Sequence, residues 1–282
     1  MTPRKLVVEF TKMNGAGNDF IVIDNRFYQF TDDELAGLAR RFCPRRTGIG
    51  ADGLLAFDPP REEGRHFRMR YRNADGSLGT MCGNGARCLV RFARWAGIED
   101  EDMVFETDAG VYRAHLPSAP DAPVRLFVPP PRDLRPDVRL EAAPPYPVHY
   151  IWTGTEHLVC FVNAVAEAPV GTAGPAWRAD PALAPNGANV NFVEVDAHAD
   201  GRPRLLVRTY EKGVEAETLA CGTGALAAGI TARWLGYVDA GVVDVQMPGG
   251  VLTVGCEVNG TEVANVFLEG PAETVFRGTV EV

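Results

Sequence analysis

The sequence predicts an α+β fold in two pseudosymmetric halves, each with strands wrapped around one central helix. Three observations carry that expectation. The phrase Cys-Gly-x-Gly-Ala occurs twice, at Cys82 and Cys221, 139 residues apart in a chain of 282. Other landmarks repeat at nearly the same offset. Ala93-Arg94-Trp95-Ala96-Gly97 matches Ala232-Arg233-Trp234-Leu235-Gly236 at 139, and Arg70-Tyr71-Arg72-Asn73 faces Arg208-Thr209-Tyr210-Glu211 at 138. Gly17-Asn18-Asp19-Phe20 faces Gly154-Thr155-Glu156-His157 at 137, and Ala109-Gly110-Val111 faces Gly249-Gly250-Val251 at 140. A period of half the chain is too long for a solenoid and denotes an internal duplication. Finally, the helical patterns are too few for regular strand–helix alternation, which favours α+β.

The elements follow in chain order. Residues 5–10 and 20–24 read as strands flanking a loop at 13–19. Thr31-Asp32-Asp33-Glu34 has the form of a capping box ahead of Leu35, Leu38 and Ala39, so a helix starts there and ends before Pro44. Short strands are expected at 54–57 and 67–72. Residues 86–96 predict a helix with Arg87, Arg91 and Arg94 on one polar face, stopped by Gly97. Its counterpart, at about 225–235, is apolar all round, which predicts deep burial. Residues 117–147 hold ten of the 21 prolines, disfavour helix and mark a crossing between the halves. Strands at 191–195, 205–209, 242–246 and 263–268 dominate the second half.

Composition narrows the function classes. The chain is 46% hydrophobic and 23% charged, ordinary for a globular protein, and its net charge of −9 disfavours a nucleic-acid partner. Residues 1–12 hold no apolar run of signal-peptide length and no stretch approaches a membrane span, so a cytoplasmic location without membrane partners is expected. The six cysteines form no Cys-x-x-Cys pair and no Cys/His cluster, so no metal and no disulfide framework is expected. Four of them read as buried apolar thiols, with Cys88 facing the core. Residues 48–53 match Gly-x-Gly-x-x-Gly, but Pro44-Arg45-Arg46-Thr47 precedes them and a β-like run follows. The dinucleotide fingerprint needs a strand before and a helix after, so this is a Gly-rich turn.

The chemistry lies where each cysteine meets its helix. Cys82-Gly83-Asn84-Gly85 and Cys221-Gly222-Thr223-Gly224 both lead straight into a helical run. Unpaired backbone N–H groups at such a start bind anions, and a substrate carboxylate is the obvious one. The same field favours thiolate over thiol. Two matched loops can place a thiolate base and a thiol acid on opposite faces of one carbon, which suits removal and return of an α-proton. As the adjacent proton leaves, charge moves onto the carboxylate, where fixed donors help most.

These residues resemble the diaminopimelate epimerase family. The matching motifs are Gly15-Ala16-Gly17-Asn18-Asp19-Phe20, residues 48–53, Asn73-Ala74-Asp75-Gly76-Ser77, Cys82-Gly83-Asn84-Gly85-Ala86-Arg87-Cys88 and Glu217-Thr218-Leu219-Ala220-Cys221-Gly222-Thr223-Gly224. The resemblance implies two lobes, each a barrel-like mixed sheet around a helix, with the active site in the cleft between them. It implies a first lobe of residues 1–127 plus 273–282, to which the final strand returns, and a second of 128–272. It also implies an isomerase that converts LL-diaminopimelate to meso-diaminopimelate in lysine biosynthesis, without pyridoxal phosphate or any other cofactor, as a homodimer. By position, Cys82 and Cys221 are the acid/base pair. Asn18, Asn73, Gly83, Asn84, Asn189, Glu211, Lys212, Gly222 and Thr223 match substrate-binding positions.

Two departures stand out. Many members have Gly-Asn-Pro-His where this chain has Gly154-Thr155-Glu156-His157, and Tyr-Glu-Arg-Gly where it has Tyr210-Glu211-Lys212-Gly213. Both match groups that hold the far, non-reacting end of the substrate. Lysine keeps the charge of arginine but loses its fork. His157 reads as a structural hydrogen-bonding residue. Three alternatives stay open: a two-cysteine racemase of proline, hydroxyproline or histidine; a phenazine-type isomerase, which shares the fold but lacks the paired cysteines; and a non-catalytic amino-acid-binding protein. The last has no need of two thiols.

Overall fold

The computed structural model describes residues 6–119, 121–196, 201–260 and 262–282. The chain divides into two compact units, Met1–Leu126 with Gly270–Val282, and Phe127–Glu269. Each carries the same run of strand pairings. In the first unit, Val7–Gly15 pairs antiparallel with Asn18–Asp24, which pairs parallel with Gly53–Asp58, then antiparallel with Phe67–Asn73, parallel with Asp102–Thr107 and antiparallel with Gly110–His115. The last strand, Glu273–Glu281, pairs antiparallel with Val7–Gly15. In the second unit, Val148–Trp152, Glu156–Phe161, Asn189–Asp196, Arg204–Glu211, Val242–Met247 and Gly250–Asn259 repeat that sequence of antiparallel and parallel neighbours. The repeat seen in the motifs is thus a repeat of topology.

A central helix lies against the strands of each unit. Gly83–Trp95 packs on the four strands between residues 7 and 73, and Gly222–Trp234 packs on six strands of its own unit. The second has almost no polar face, with nine consecutive buried residues from Gly224 to Ala232. On the other side of the first sheet, Asp32–Phe42 buries Leu35, Leu38, Ala39 and Phe42 against Ile21, Ile23, Leu54 and Ala56. Phe20 and Leu55 instead lie toward Gly85 of the central helix. With both faces covered, strands such as Gly53–Asp58 are buried at every position instead of alternating. The Thr31 capping box is present, with Thr31 N–H donating to Glu34 Oε2 at 2.8 Å and Glu34 N–H to Thr31 Oγ1 at 3.4 Å.

Several expectations need correction. The first strand runs on to Gly15 and the next starts at Asn18, so the loop expected at 13–19 shrinks to a turn at Ala16 and Gly17, with φ of 57° and 101°. Lys5, expected in that strand, lies outside the described residues. Both central helices begin three residues early, at Gly83 and Gly222, because the glycines of the cysteine loops form the first turn. Arg87 is not on a solvent face: it is 0% exposed and donates from Nη2 to Asn84 Oδ1 at 2.8 Å. Val170–Arg178 is a helix that the sequence did not predict. Packing of Trp177 on Phe192 overrides its Pro175 and two glycines. The Gly-rich run at 48–53 is irregular up to Gly53, where a strand begins, and Gly50 has a φ of 82°.

Among the described residues no helix is long and apolar enough to cross a membrane, and no group of His, Cys, Asp and Glu could hold a metal ion.

Candidate active site

Each unit presents a cysteine at the N-cap of its central helix. Cys82 has φ −138° and ψ 118°, and Cys221 has φ −133° and ψ 103°, nearly the same extended geometry. Neither side chain caps its helix. The first helical bonds are Ala86 N–H to Cys82 O at 2.8 Å and Ala225 N–H to Cys221 O at 2.9 Å. The N–H groups of Gly83, Asn84 and Gly85, and of Gly222, Thr223 and Gly224, precede those bonds and have no acceptor within the helix. Together with the positive end of the helix dipole they give each helix start donors and a field of the kind that suits an anion. Cys82 is partly exposed and Cys221 is 5% exposed. The other four cysteines are buried. Burial raises the thiols of Cys43, Cys88 and Cys160 to about 12 and that of Cys256 to about 11, leaving them as apolar packing groups.

In the first unit the helix start is tied to the Ala16–Gly17 turn. Asn84 Nδ2 donates to Asn18 Oδ1 at 2.5 Å, and Asn18 Nδ2 donates to Asp52 Oδ2 at 3.0 Å. Arg87 steadies the other side of Asn84. Burial lowers this guanidinium to about 10, offset in part by the neighbouring Cys88 and Cys82 sulfurs, so it stays cationic beneath the loop at neutral pH. A Cβ on Gly15 would lie 2.8 Å from Asn84 O, so only glycine lets the first strand come this close to the helix start. Asp19 turns away, bonded to Lys12 at 2.7 Å and to Arg45 at 2.8 Å. Burial raises its carboxyl, but the hydrogen bonds from Arg45 and Lys12 outweigh that and hold it down at about 2. Asn73 ends its strand and donates from Nδ2 to Ser77 Oγ at 2.9 Å, within its own turn.

The second unit builds a similar support from different residues. Thr153 Oγ1 donates to Thr223 O at 2.9 Å, pinning the Gly154 turn to the first turn of the helix. Cys221 Sγ lies 3.5 Å from Thr223 Oγ1. Below it, Asn191 Nδ2 donates to His157 Nδ1 at 3.0 Å and to Leu158 O at 2.8 Å, and its Oδ1 accepts from Thr209 Oγ1 at 2.9 Å. His157 is fully buried, and burial lowers its imidazole to about 3, so the ring is neutral. Asn189, also buried, receives Lys212 N–H on Oδ1 at 2.7 Å and donates from Nδ2 to Glu156 O at 3.2 Å. Lys212 Nζ bonds Glu156 Oε2 at 2.6 Å. Glu156 also accepts from Thr155 Oγ1 at 3.0 Å and Asn186 Nδ2 at 2.9 Å. Burial raises the Glu156 carboxyl, yet the Lys212 bond and the local donors bring it down to about 2. Glu211 ends the strand that delivers Lys212.

Within each unit, then, Asn18 and Asn84 lie together at the Cys82 helix start, Thr223 lies beside Cys221, and Asn189 and Lys212 bond one another and Glu156. Sequence reasoning missed Asp52, Arg87, Asn191 and the pairing role of Glu156. A signal for Glu156 was present, since it matches Asp19 at the repeat offset and both acids find cations.

A protein-family model described as diaminopimelate epimerase matches residues 10–121 and 149–275. The chain is 42% identical to the diaminopimelate epimerase of Chlorobaculum tepidum over 271 residues, covering 95% of this chain and 99% of that one. It is 39% identical over 277 residues to the diaminopimelate epimerase of a Hydrogenobaculum species, covering 95% and 96%. Among solved structures it is similar to a phenazine biosynthesis protein of the PhzF family from Bacillus anthracis, with TM-score 0.75, 15% identity and coverage of 98% and 100%. It is also similar to a hydroxyproline epimerase from Agrobacterium vitis with bound trans-4-hydroxy-L-proline, with TM-score 0.68, 16% identity and coverage of 98% and 93%. At those identities the likeness is one of fold.

Proposed function

The chain belongs to the diaminopimelate epimerase family, and on that premise we propose that it converts LL-diaminopimelate to meso-diaminopimelate with Cys82 and Cys221 as the acid/base pair. The observation that carries this is the pair of helix starts, each led by a cysteine with nearly the same backbone angles. The substrate carboxylate binds the free N–H groups at residues 83–85 and 222–224. One cysteine, as thiolate, removes the α-proton and becomes a thiol. The electron pair left on carbon delocalises onto the carboxylate, where a fixed donor is worth roughly a hundredfold or more in rate. The other cysteine delivers its proton to the opposite face and is left as thiolate, so the two exchange roles with direction.

Asn18, Asn73, Asn189 and Glu211 hold the zwitterion, Glu211 through the ammonium, and Lys212 holds the far end. The mechanism needs no pyridoxal phosphate and no metal. We place the enzyme in the cytoplasm, as a homodimer, in lysine biosynthesis.

The test is incubation with LL-diaminopimelate in heavy water, under reducing conditions and without pyridoxal phosphate, followed by NMR and chiral chromatography. Formation of the meso isomer carrying α-deuterium is expected. Turnover confined to another amino acid, such as proline or hydroxyproline, would refute the assignment.

A further inference from the structure

Resting on the reading of Cys82 and Cys221 as an acid/base pair, we propose that the two are unequal before substrate arrives. Cys82 waits as the thiolate and Cys221 as the thiol, and Arg87 is the positioning residue that sets the difference. The helix starts themselves do not distinguish the two sulfurs. Each cysteine is the N-cap of a helix of the same length, with nearly the same backbone angles, so the helix dipole favours both alike. What differs lies one turn further in. Arg87 follows Cys82 by five positions, and at the repeat offset of 139 its counterpart after Cys221 is Leu226. Both are buried, but only the first carries a charge.

That charge lacks an anion. Arg87 is 0% exposed and holds Asn84 through Nη2, while its Nε and Nη1 are buried with no hydrogen-bond partner among the described residues. A buried cation without a counter-ion is strongly unfavourable. The groups that act on it electrostatically are two sulfurs, those of Cys88 and Cys82. Cys88 is fully buried and its thiol is pushed up to about 12, so it stays protonated. Cys82 is partly exposed and adjoins N–H groups that lack an acceptor within the helix. It is the sulfur able to carry the negative charge.

The surroundings do not reverse this bias. Charged groups on the strands packed against the first helix are paired with one another or with nearby loops. Asp19 bonds Lys12 and Arg45, Asp52 bonds Arg45, and Asp24 bonds Arg26. Arg68, Arg70 and Arg72 turn to Asp108, Asp58 and Asp32. Phe20 and Leu55 cover the helix start, with Tyr71 edge-on against Phe20. Glu9 and Glu273 are exposed, so water screens them. In the second unit His157 is neutral, Lys212 is bonded to Glu156 and Arg208 to Glu217. Among the described residues every buried lysine or arginine belongs to the first unit. A turnover that begins on Cys82 leaves it protonated and Cys221 ionised. Arg87 then favours the reset, in which Cys82 gives its proton to water and Cys221 takes one back.

The experiment follows alkylation of the substrate-free protein by iodoacetamide under reducing conditions, from about pH 5 to about pH 10, with peptide mass spectrometry reading each cysteine separately. The midpoint of the rate against pH reports ionisation, whereas exposure alone scales the plateau. In wild-type protein the Cys82 midpoint should lie about one unit or more below that of Cys221. Arg87→Met should raise the Cys82 midpoint by about one unit or more and leave that of Cys221 in place. Arg87→Lys, which keeps the charge, should restore most of the wild-type value. A wild-type Cys82 midpoint equal to or above that of Cys221 would overturn the proposal, even if Arg87→Met fails to fold. So would a Cys82 midpoint unmoved in folded Arg87→Met protein. Wild-type protein that shows the low Cys82 midpoint but is inert toward LL-diaminopimelate would support the inequality and overturn the proposed function instead.

Discussion

Replacing Gly224 by alanine tests whether the second helix start is fitted to the strands beneath it. In an ordinary helix interior the change would stabilise by about 1 kcal/mol. Here the added Cβ would lie 2.5 Å from Asn191 Oδ1 and 3.3 Å from both Cβ and Sγ of Cys221. Asn191 has no easy retreat, since it is fully buried and its amide is bonded to His157, Leu158 and Thr209. Overpacking costs about 1–3 kcal/mol, and a buried polar group forced off its partner costs about another 1–3 kcal/mol. Set against the propensity gain of about 1 kcal/mol, the net loss is about 1–5 kcal/mol. Gly37 supplies the control: it lies inside Asp32–Phe42, and a Cβ there would meet nothing within 4 Å. Gly37→Ala should raise the urea midpoint by the equivalent of about 0.5–1 kcal/mol, while Gly224→Ala lowers it and cuts kcat. Adding Asn191→Ser to Gly224→Ala should recover part of the loss, a coupling between touching residues. A Gly224→Ala protein as stable and as active as Gly37→Ala would refute the close fit described here.

Further outcomes follow from the two supports. Asp52→Ala removes the acceptor of Asn18 Nδ2, and kcat/KM for LL-diaminopimelate should fall about tenfold or more, the worth of a hydrogen bond to a charged group, as steady-state kinetics can read. Arg87→Met removes the buried cation one turn beyond Cys82, and mass spectrometry should find alkylation of Cys82 by iodoacetamide slowed while that of Cys221 is unchanged. Glu156 titrates from its ordinary 4.5 down to about 2 in the folded chain. The unfolded carboxyl therefore binds a proton more readily, and the stabilisation present above pH 4.5 is lost as pH falls toward 2. Acid unfolding followed by circular dichroism should accordingly be less steep in Glu156→Gln over that interval.

Much of this organisation was legible in the sequence because it is written twice. Landmarks at offsets of 137–140 predicted the repeat, and the structure shows the same order of parallel and antiparallel pairings in each unit. The capping box at Thr31 is a local signal and was readable as such. What escaped was non-local. Arg87 looks like a surface residue in any helical projection, and only the amide of Asn84 and the covering sheet make its burial intelligible. The helix Val170–Arg178 has two glycines and a proline, and is held by Trp177 packing against a strand rather than by its own propensity. At the site, the cysteine loops announce themselves, whereas the contacts of Asn18 with Asn84 and of Lys212 with Glu156 join residues 66 and 56 positions apart. The periodicities of helix and strand do not reach that far.

The central claim is that Cys82 and Cys221 serve one carbon from its two faces, which requires the two sulfurs to approach one another. Controlled oxidation followed by peptide mapping and an activity assay tests this most directly. The expected result is a single peptide pair joined through Cys82 and Cys221, forming in step with loss of epimerase activity, both reversed by dithiothreitol. Activity that survives full oxidation of Cys82 and Cys221 would contradict it.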